Sequence, residues 1–386
     1  MSDHPHDPTP ARDPETPLQA RLKRLIAATG PVSLADYMLH CLSDPEHGYY
    51  TSRTPLGAKG DFITAPEISQ LFGELIGIWM LAVWQQSGCP TPFHLVELGP
   101  GRGTLMRDML RALSSDPAAT KALHIHLVDI SSGLKDLQKG ALSDTQCPVD
   151  WHDGIDGLPA APLFIVANEF FDCLPIHQWV MHEGNWHERV VGLDESGDLA
   201  FGLGPVRAMT APSEQDTIAA GTIFEQSPAS EAIIALLTRH LGQYGGAGLF
   251  IDYGYTEPGF GDTFQALHRH RFANPLAAPG HQDLTAHVNF AALARCARNA
   301  LQANTQTNPG NNHPMTIHTP VTQGDFLLAM GLLQRAGQLG AGKSHAQQQA
   351  LRDAVERLAS PDHMGELFKI FAILPHHVTL PPFLQA

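Results

Sequence analysis

An acid and three alternating glycines, Glu97-Leu98-Gly99-Pro100-Gly101-Arg102-Gly103, separate a strand-like run at 94–98 from a helix-like run at 104–110. Such a loop lets a chain end a strand, turn sharply and enter a helix, because glycine accepts positive φ and lets backbone amides approach a ligand that a Cβ would push away. The spacing then selects the ligand. A dinucleotide fingerprint needs glycines at the first, third and sixth places, and the sixth place counted from Gly99 is Thr104. An acid followed by G-x-G-x-G suits S-adenosylmethionine better, since a strand-end carboxylate such as Glu97 can hold its ammonium. A tight strand-to-helix turn without a ligand is the plainer alternative.

The next strand end strengthens the ligand reading. His124-Ile125-His126-Leu127-Val128-Asp129 ends in an acid 26 residues after Gly103, where a carboxylate can accept from ribose hydroxyls. Trp151-His152-Asp153 offers an aromatic to stack on adenine and an acid to accept from its amino group. The run 163–167 leads into Asn168-Glu169-Phe170-Phe171-Asp172-Cys173-Leu174-Pro175, an amide and two carboxylates at a strand's carboxyl end. Ligands of open α/β sheets bind at that edge; the plainer reading is a helix start capped by Asn168. Asp252-Tyr253-Gly254 ends a further strand, and in Asp283-Leu284-Thr285-Ala286-His287-Val288 an acid or a threonine reads first as a helix cap. His124 and His126 share a strand face and read as packing or surface residues. With 22 histidines, proximity is expected by chance; no H-E-x-x-H spacing appears, and no metal is expected.

Apolar runs alternate with helix-length segments from residue 92 onward, the pattern of an α/β protein with a mostly parallel sheet covered on both faces. Strands are expected at 93–98, 124–129, 163–167, 248–253, 315–321 and 367–374, with a strand pair inserted at 178–201 and helices with an Ala/Gln-rich middle at 322–358. Three units follow: a disordered tail at 1–17, a helical cap and loop at 18–90, and a ligand-binding domain at 91–386 with insertions near 178–230 and 322–360. The cap should hold helices at 18–28 and after Ser33, an ordered loop at 44–66 and a long helix at 67–85.

A formal net charge of −15 argues against nucleic acid as partner and for a basic one. The five cysteines form an odd set without C-x-x-C spacing and read as reduced thiols of a cytoplasmic protein. The first 17 residues lack the pattern of a secretory or transit signal, and nothing approaches a membrane span of ~18 apolar residues.

Taken together, Gly60-Asp61-Phe62-x-Thr64-Ala65-Pro66-Glu67, the Glu97 loop, Asn168-Glu169-x-x-Asp172-x-Leu174-Pro175, Asp252-Tyr253-Gly254 and the 283–288 run resemble the MidA family, over a span from about residue 18 to the end. That family includes bacterial relatives of the mitochondrial complex I assembly factor 7. The resemblance implies a class I (Rossmann-like) methyltransferase with a seven-stranded sheet and an N-terminal helical cap. It also implies S-adenosylmethionine as donor and, in mitochondrial members, arginine methylation on a quinone-site subunit of NADH dehydrogenase. By position the donor would meet Glu97, Gly99, Gly101, Gly103, Asp129, Asp153 and Asn168, with Trp151 beside the adenine and Asp61, Thr64 and Glu67 in the cap loop. Asp129 stands where glutamate is expected, and the shorter carboxylate can still serve the ribose.

Methyl transfer from a sulfonium needs alignment more than covalent help. Glu169 and Asp172 are therefore expected to clamp a guanidinium, with His287 or Asp252 as proton relay. Two rivals stand beside this: a methyltransferase acting on a small molecule or lipid, and an assembly chaperone that keeps the donor pocket as a relic. The acceptor, the number of methyl groups added and the oligomeric state, with a homodimer as one option, are left open.

Overall fold

The computed structural model describes residues 15–52, 64–207, 218–268, 271–307 and 313–384. Seven strands make the path through its main sheet: β1 (Phe93–Leu98), β2 (Leu123–Val128), β3 (Val149–His152), β4 (Leu163–Asn168), β5 (Gly246–Tyr255), β6 (Met315–Ile317) and β7 (Phe368–Pro375). Their spatial order is 3-2-1-4-5-7-6. Two two-residue strands, Val288–Asn289 on β5 and Val321–Thr322 on β7, pair off this path, so the sheet holds nine strands among the described residues.

The run from β3 to β5 is parallel, and β7 pairs antiparallel with both β5 and β6. Every residue of β1 and β4 is buried, which is why both read as unbroken apolar runs rather than alternating ones. On one face Leu95, Ile125, Phe164 and Leu249 join a core with Trp79 and Leu105, from helices Gln70–Gln86 and Thr104–Leu113. On the other, Val96, Ile165 and Phe250 pack with Ile234, Leu237 and Leu293, from helices Pro228–Tyr244 and Phe290–Thr307. The strand order reverses between β1 and β4, and the crevice above that reversal is where such sheets bind ligands.

Several boundaries differ from expectation. The long helix starts at Gln70 rather than 67, because Ser69 at φ −160° breaks it from the short turn Ala65–Ile68 and caps it through Leu71 N. Of the expected tail, residues 1–14 lie outside the described residues, while Thr16 and Pro17 already form a capped helix start. β3 was not expected as a strand; four residues, none of them buried, carry too little apolar signal. The inserted pair is a larger antiparallel sheet: His177–His182, Asn185–Leu193, Leu199–Val206 and Ile223–Gln226, joined by Val32–Ser33. Asp283 and Thr285 do not cap a helix. They lie in strand Asp283–Thr285, paired with Gln265–His268, and the helix that follows is capped by Asn289 Oδ1, which accepts from Ala292 N at 3.0 Å.

Packing also divides the chain differently from a cap at 18–90. Leu18, Leu22, Leu34 and Tyr37 share an apolar cluster with Ile176, Val191, Phe264 and Leu284, whereas the helix Gln70–Gln86 belongs to the core of the main sheet. Thus the helices at the start of the chain, the inserted sheet and the 264–286 segment build one roof beside the carboxyl ends of the strands. No helix of the described residues is long and apolar enough to cross a membrane.

Candidate active site

A cavity of about 400 Å³ opens at the β1/β4 switch point, within the size range of small-molecule sites. Its walls include Glu97, Gly99, Gly101, Asp129, Asp153, Asn168 and Glu169, with Thr64 and Glu67 from the cap. Asp61 lies outside the described residues.

The three loop glycines have φ of 62°, 52° and 81°, the left-handed region in which a side chain is strained. A Cβ on Gly99 would also stand 3.0 Å from Phe170 Cδ2. Gly103 does not line the cavity; it starts the helix and packs against Gln138 and Ala141.

Among the buried oxygens that lack a partner in the described residues are Glu97 Oε2, Asn168 Oδ1 and Asp172 Oδ1. Orphaned buried acceptors cost stability, so two of them on a cavity wall mark where a ligand's donors belong. Burial first, and Asp129 second, push Glu97 well above the usual carboxylate range. A cation in the cavity would reverse that shift.

Asp129 is held by Ser131 N and by Gln138 Nε2, both at 2.8 Å. Gln138 was not singled out in the sequence, yet its buried amide also reaches Gly101 O at 2.9 Å and accepts from Trp151 Nε1 at 3.1 Å. One glutamine on a helix ties the ends of β1 and β2 to a residue of β3, and only the fold reveals it. Trp151 is consequently turned away from the cavity. Apolar contact there comes from Ile130, 57% exposed, with Leu134 and Ile155. Asp153 pairs with Lys135 at the rim.

No helix begins at Asn168. Glu169 instead takes φ 51°, rare for a residue with a side chain, and its Oε1 accepts from Asn168 Nδ2 at 3.0 Å and Ala65 N at 3.3 Å. Burial, then Asp172, raises its pKa to about 7. The remaining catalytic candidates lie elsewhere. Asp172 does not line the cavity; its Oδ2 accepts from Tyr253 OH at 2.7 Å. Asp252 is engaged as a backbone anchor, with Oδ2 accepting from the amides of Phe170, Phe171 and Asp172 at 3.1, 2.9 and 3.2 Å. A carboxylate so occupied shapes the Glu169 loop and is not free to relay protons. His287 lines a separate cavity of about 60 Å³, its ring 5.4 Å from that of Tyr253. Tyr50, also unforeseen, lines the main cavity while donating to Asp283 Oδ1 at 2.9 Å.

A parallel switch-point sheet, a left-handed glycine loop and partnerless acceptors in the crevice define an S-adenosylmethionine-dependent methyltransferase. Residues 75–308 match the family described as "Putative S-adenosyl-L-methionine-dependent methyltransferase", and the chain belongs to that family. The "Protein arginine methyltransferase NDUFAF7, mitochondrial" of Rattus norvegicus is 36% identical over 94% of this chain and 85% of its own. The human protein of that name is 35% identical over 95% and 85%. A crystal structure from Burkholderia thailandensis bound to S-adenosyl-homocysteine superposes with a TM-score of 0.76 at 25% identity, covering 95% of this chain and 96% of its own. The donor is therefore S-adenosylmethionine. The expectation of a cytoplasmic protein is corrected: these curated relatives, and the homolog in Drosophila melanogaster, are named as mitochondrial.

Proposed function

We propose that this methyltransferase modifies arginine side chains of a basic protein, with a subunit of complex I as the acceptor that the family resemblance implies. The observation that carries the reading is Glu169, a partly buried acid on the cavity wall whose pKa of about 7 leaves it substantially ionised at neutral pH. The names of the relatives support the same acceptor chemistry.

When bound, S-adenosylmethionine supplies a methyl group on a sulfonium, open to in-line attack. Glu97 and Asn168 would take the donor's amino acid end, satisfying their orphaned oxygens. Asp129, held in place by Gln138, would accept from the ribose. Ile130 and Ile155 would flank the adenine, with Asp153 at its edge; Trp151, expected in that role, donates to Gln138 instead.

On the acceptor side, a guanidinium is a poor nucleophile because its lone pairs are delocalised and its pKa exceeds about 12. Glu169 grips two of its N–H groups, draws the positive charge toward itself and leaves the third nitrogen facing the methyl. The same carboxylate takes the proton released from the methylated nitrogen. Asp172 acts from behind, its charge raising Glu169 and its position held by Tyr253.

Glu169→Gln should bind S-adenosyl-homocysteine in calorimetry like wild type while methyl transfer to arginine peptides collapses by ~10²-fold or more, the scale of a lost general acid–base group. Equal loss of both would move Glu169 into the donor pocket. Mass spectrometry of arginine methylation in cells with and without the gene tests the acceptor. Radiolabel recovered in lipid or low-mass fractions, with none in protein, would sink the reading. A Gly101→Val protein that cannot bind donor yet rescues a deletion strain would do the same in favour of a chaperone.

A further inference from the structure

The other end of the β1–β2–β3 edge carries a second polar cluster, which the methyltransferase site does not use. His94 on β1 stands directly opposite His124 on β2, and His126 follows on the same face of β2. One ring nitrogen from each of the three lies within 4.8 Å of the others. His94 Nδ1 and His126 Nε2 are 2.9 Å apart. None of the three lines the donor cavity.

From these positions we infer a metal site: His94, His124 and His126 bind one divalent transition cation of the zinc class. Two imidazoles at i and i+2 on a strand with a third across the ladder make a preset chelate on rigid elements. In a tetrahedral site with Zn–N of about 2.0–2.1 Å, ligand nitrogens stand roughly 3.3 Å apart. The present spacing, 2.9 Å for one pair and at most 4.8 Å for any, brackets that value.

The outer partners are also in place. His124 Nε2 meets Asp150 Oδ2 at 2.8 Å and His126 Nδ1 meets His152 Nε2 at 3.0 Å, the kind of second contact that fixes tautomer and ring orientation in metal sites. Entry is from the sheet edge, where the His124 side chain is 28% and Asp150 56% exposed. An all-imidazole set favours zinc, copper or nickel over magnesium or calcium. Spacing along the sequence could not reveal this, because His94 is brought in by strand pairing.

The test is zinc titration of chelator-treated full-length protein against a chromophoric competitor, alongside elemental analysis of the protein as purified. The expected result is one tight equivalent and a melting temperature raised by zinc. Both should be lost, with zinc affinity reduced at least tenfold, in His126→Gln and in the half-exposed His124→Asn. Binding of S-adenosyl-homocysteine should be unchanged in His124→Asn. No equivalent tighter than about 10 µM in folded wild-type protein overturns the proposal. So does an equivalent that survives in folded His124→Asn, which would put the metal on other histidines.

Discussion

Thr104 Oγ1 donates to Glu67 Oε1 at 2.6 Å, so the segment entering from the cap is tied to the first turn after the glycine loop. Both residues line the donor cavity. A hydroxyl-to-carboxylate bond of this kind contributes about 1–3 kcal/mol. Thr104→Val should therefore weaken S-adenosyl-homocysteine about tenfold by calorimetry without lowering the melting temperature of the free protein by more than a few degrees. Unchanged affinity would mean that the tie serves the cap alone.

Gly99 offers a sharper probe of the loop. Its φ of 62° and the 3.0 Å approach to Phe170 Cδ2 make a methyl group there both strained and tightly packed. Gly99→Ala should cost about 1–2 kcal/mol in backbone strain and reduce donor affinity by roughly tenfold or more. Phe170→Leu, which removes the ring that a Cβ would meet, should restore part of that loss; failure of the double variant to recover would place the whole cost in the backbone.

The pH dependence follows from Glu169. Its raised pKa of about 7 means that the free enzyme is increasingly protonated, and unable to hold a cation, as pH falls below neutrality. The guanidinium stays charged throughout, so kcat/KM for the acceptor should fall about tenfold per unit below pH ~7 and level off above it. Glu169→Gln should flatten the inflection. A wild-type profile that is level from pH 6 to 8 would show that another group grips the acceptor.

Asp252 makes the opposite kind of prediction. Its carboxylate holds three amides of the loop that carries Glu169 and Asp172. At about 1–3 kcal/mol per orphaned buried donor, Asp252→Ala should lose ~3 kcal/mol or more of stability in urea denaturation. Asp252→Asn, which keeps an acceptor oxygen, should lose much less. An alanine variant as stable as wild type would mean that water replaces the carboxylate.

The strand ends were legible because each breaks a buried apolar run with an acid or a glycine, a local change of chemistry. That is why Glu97, Asp129, Asn168 and Glu169 meet at one cavity as expected. What failed was depth. Asp172, Asp252 and Trp151 sit within a few residues of the cavity wall but one layer behind it, and no spacing rule tells a side chain facing a ligand from one bracing its neighbour. Gln138 was missed for the complementary reason: an amide in an ordinary helix carries no signal until three strand ends converge on it. His287 was assigned by its motif, and the fold turns it toward another cavity.

The roof has a temporal consequence. Leu34 and Tyr37 share their apolar cluster with Ile176, Val191 and Leu284, contacts that span most of the chain's length. A ribosome that has released the glycine loop has not yet delivered the 284 segment, so the early helices leave the tunnel with greasy faces and no place to bury them. Their partners are separated from them by some of the longest loop closures in the molecule, the kind that slows folding and exposes nascent chains to aggregation. Synthesis should thus be the period when this enzyme most needs a chaperone of its own.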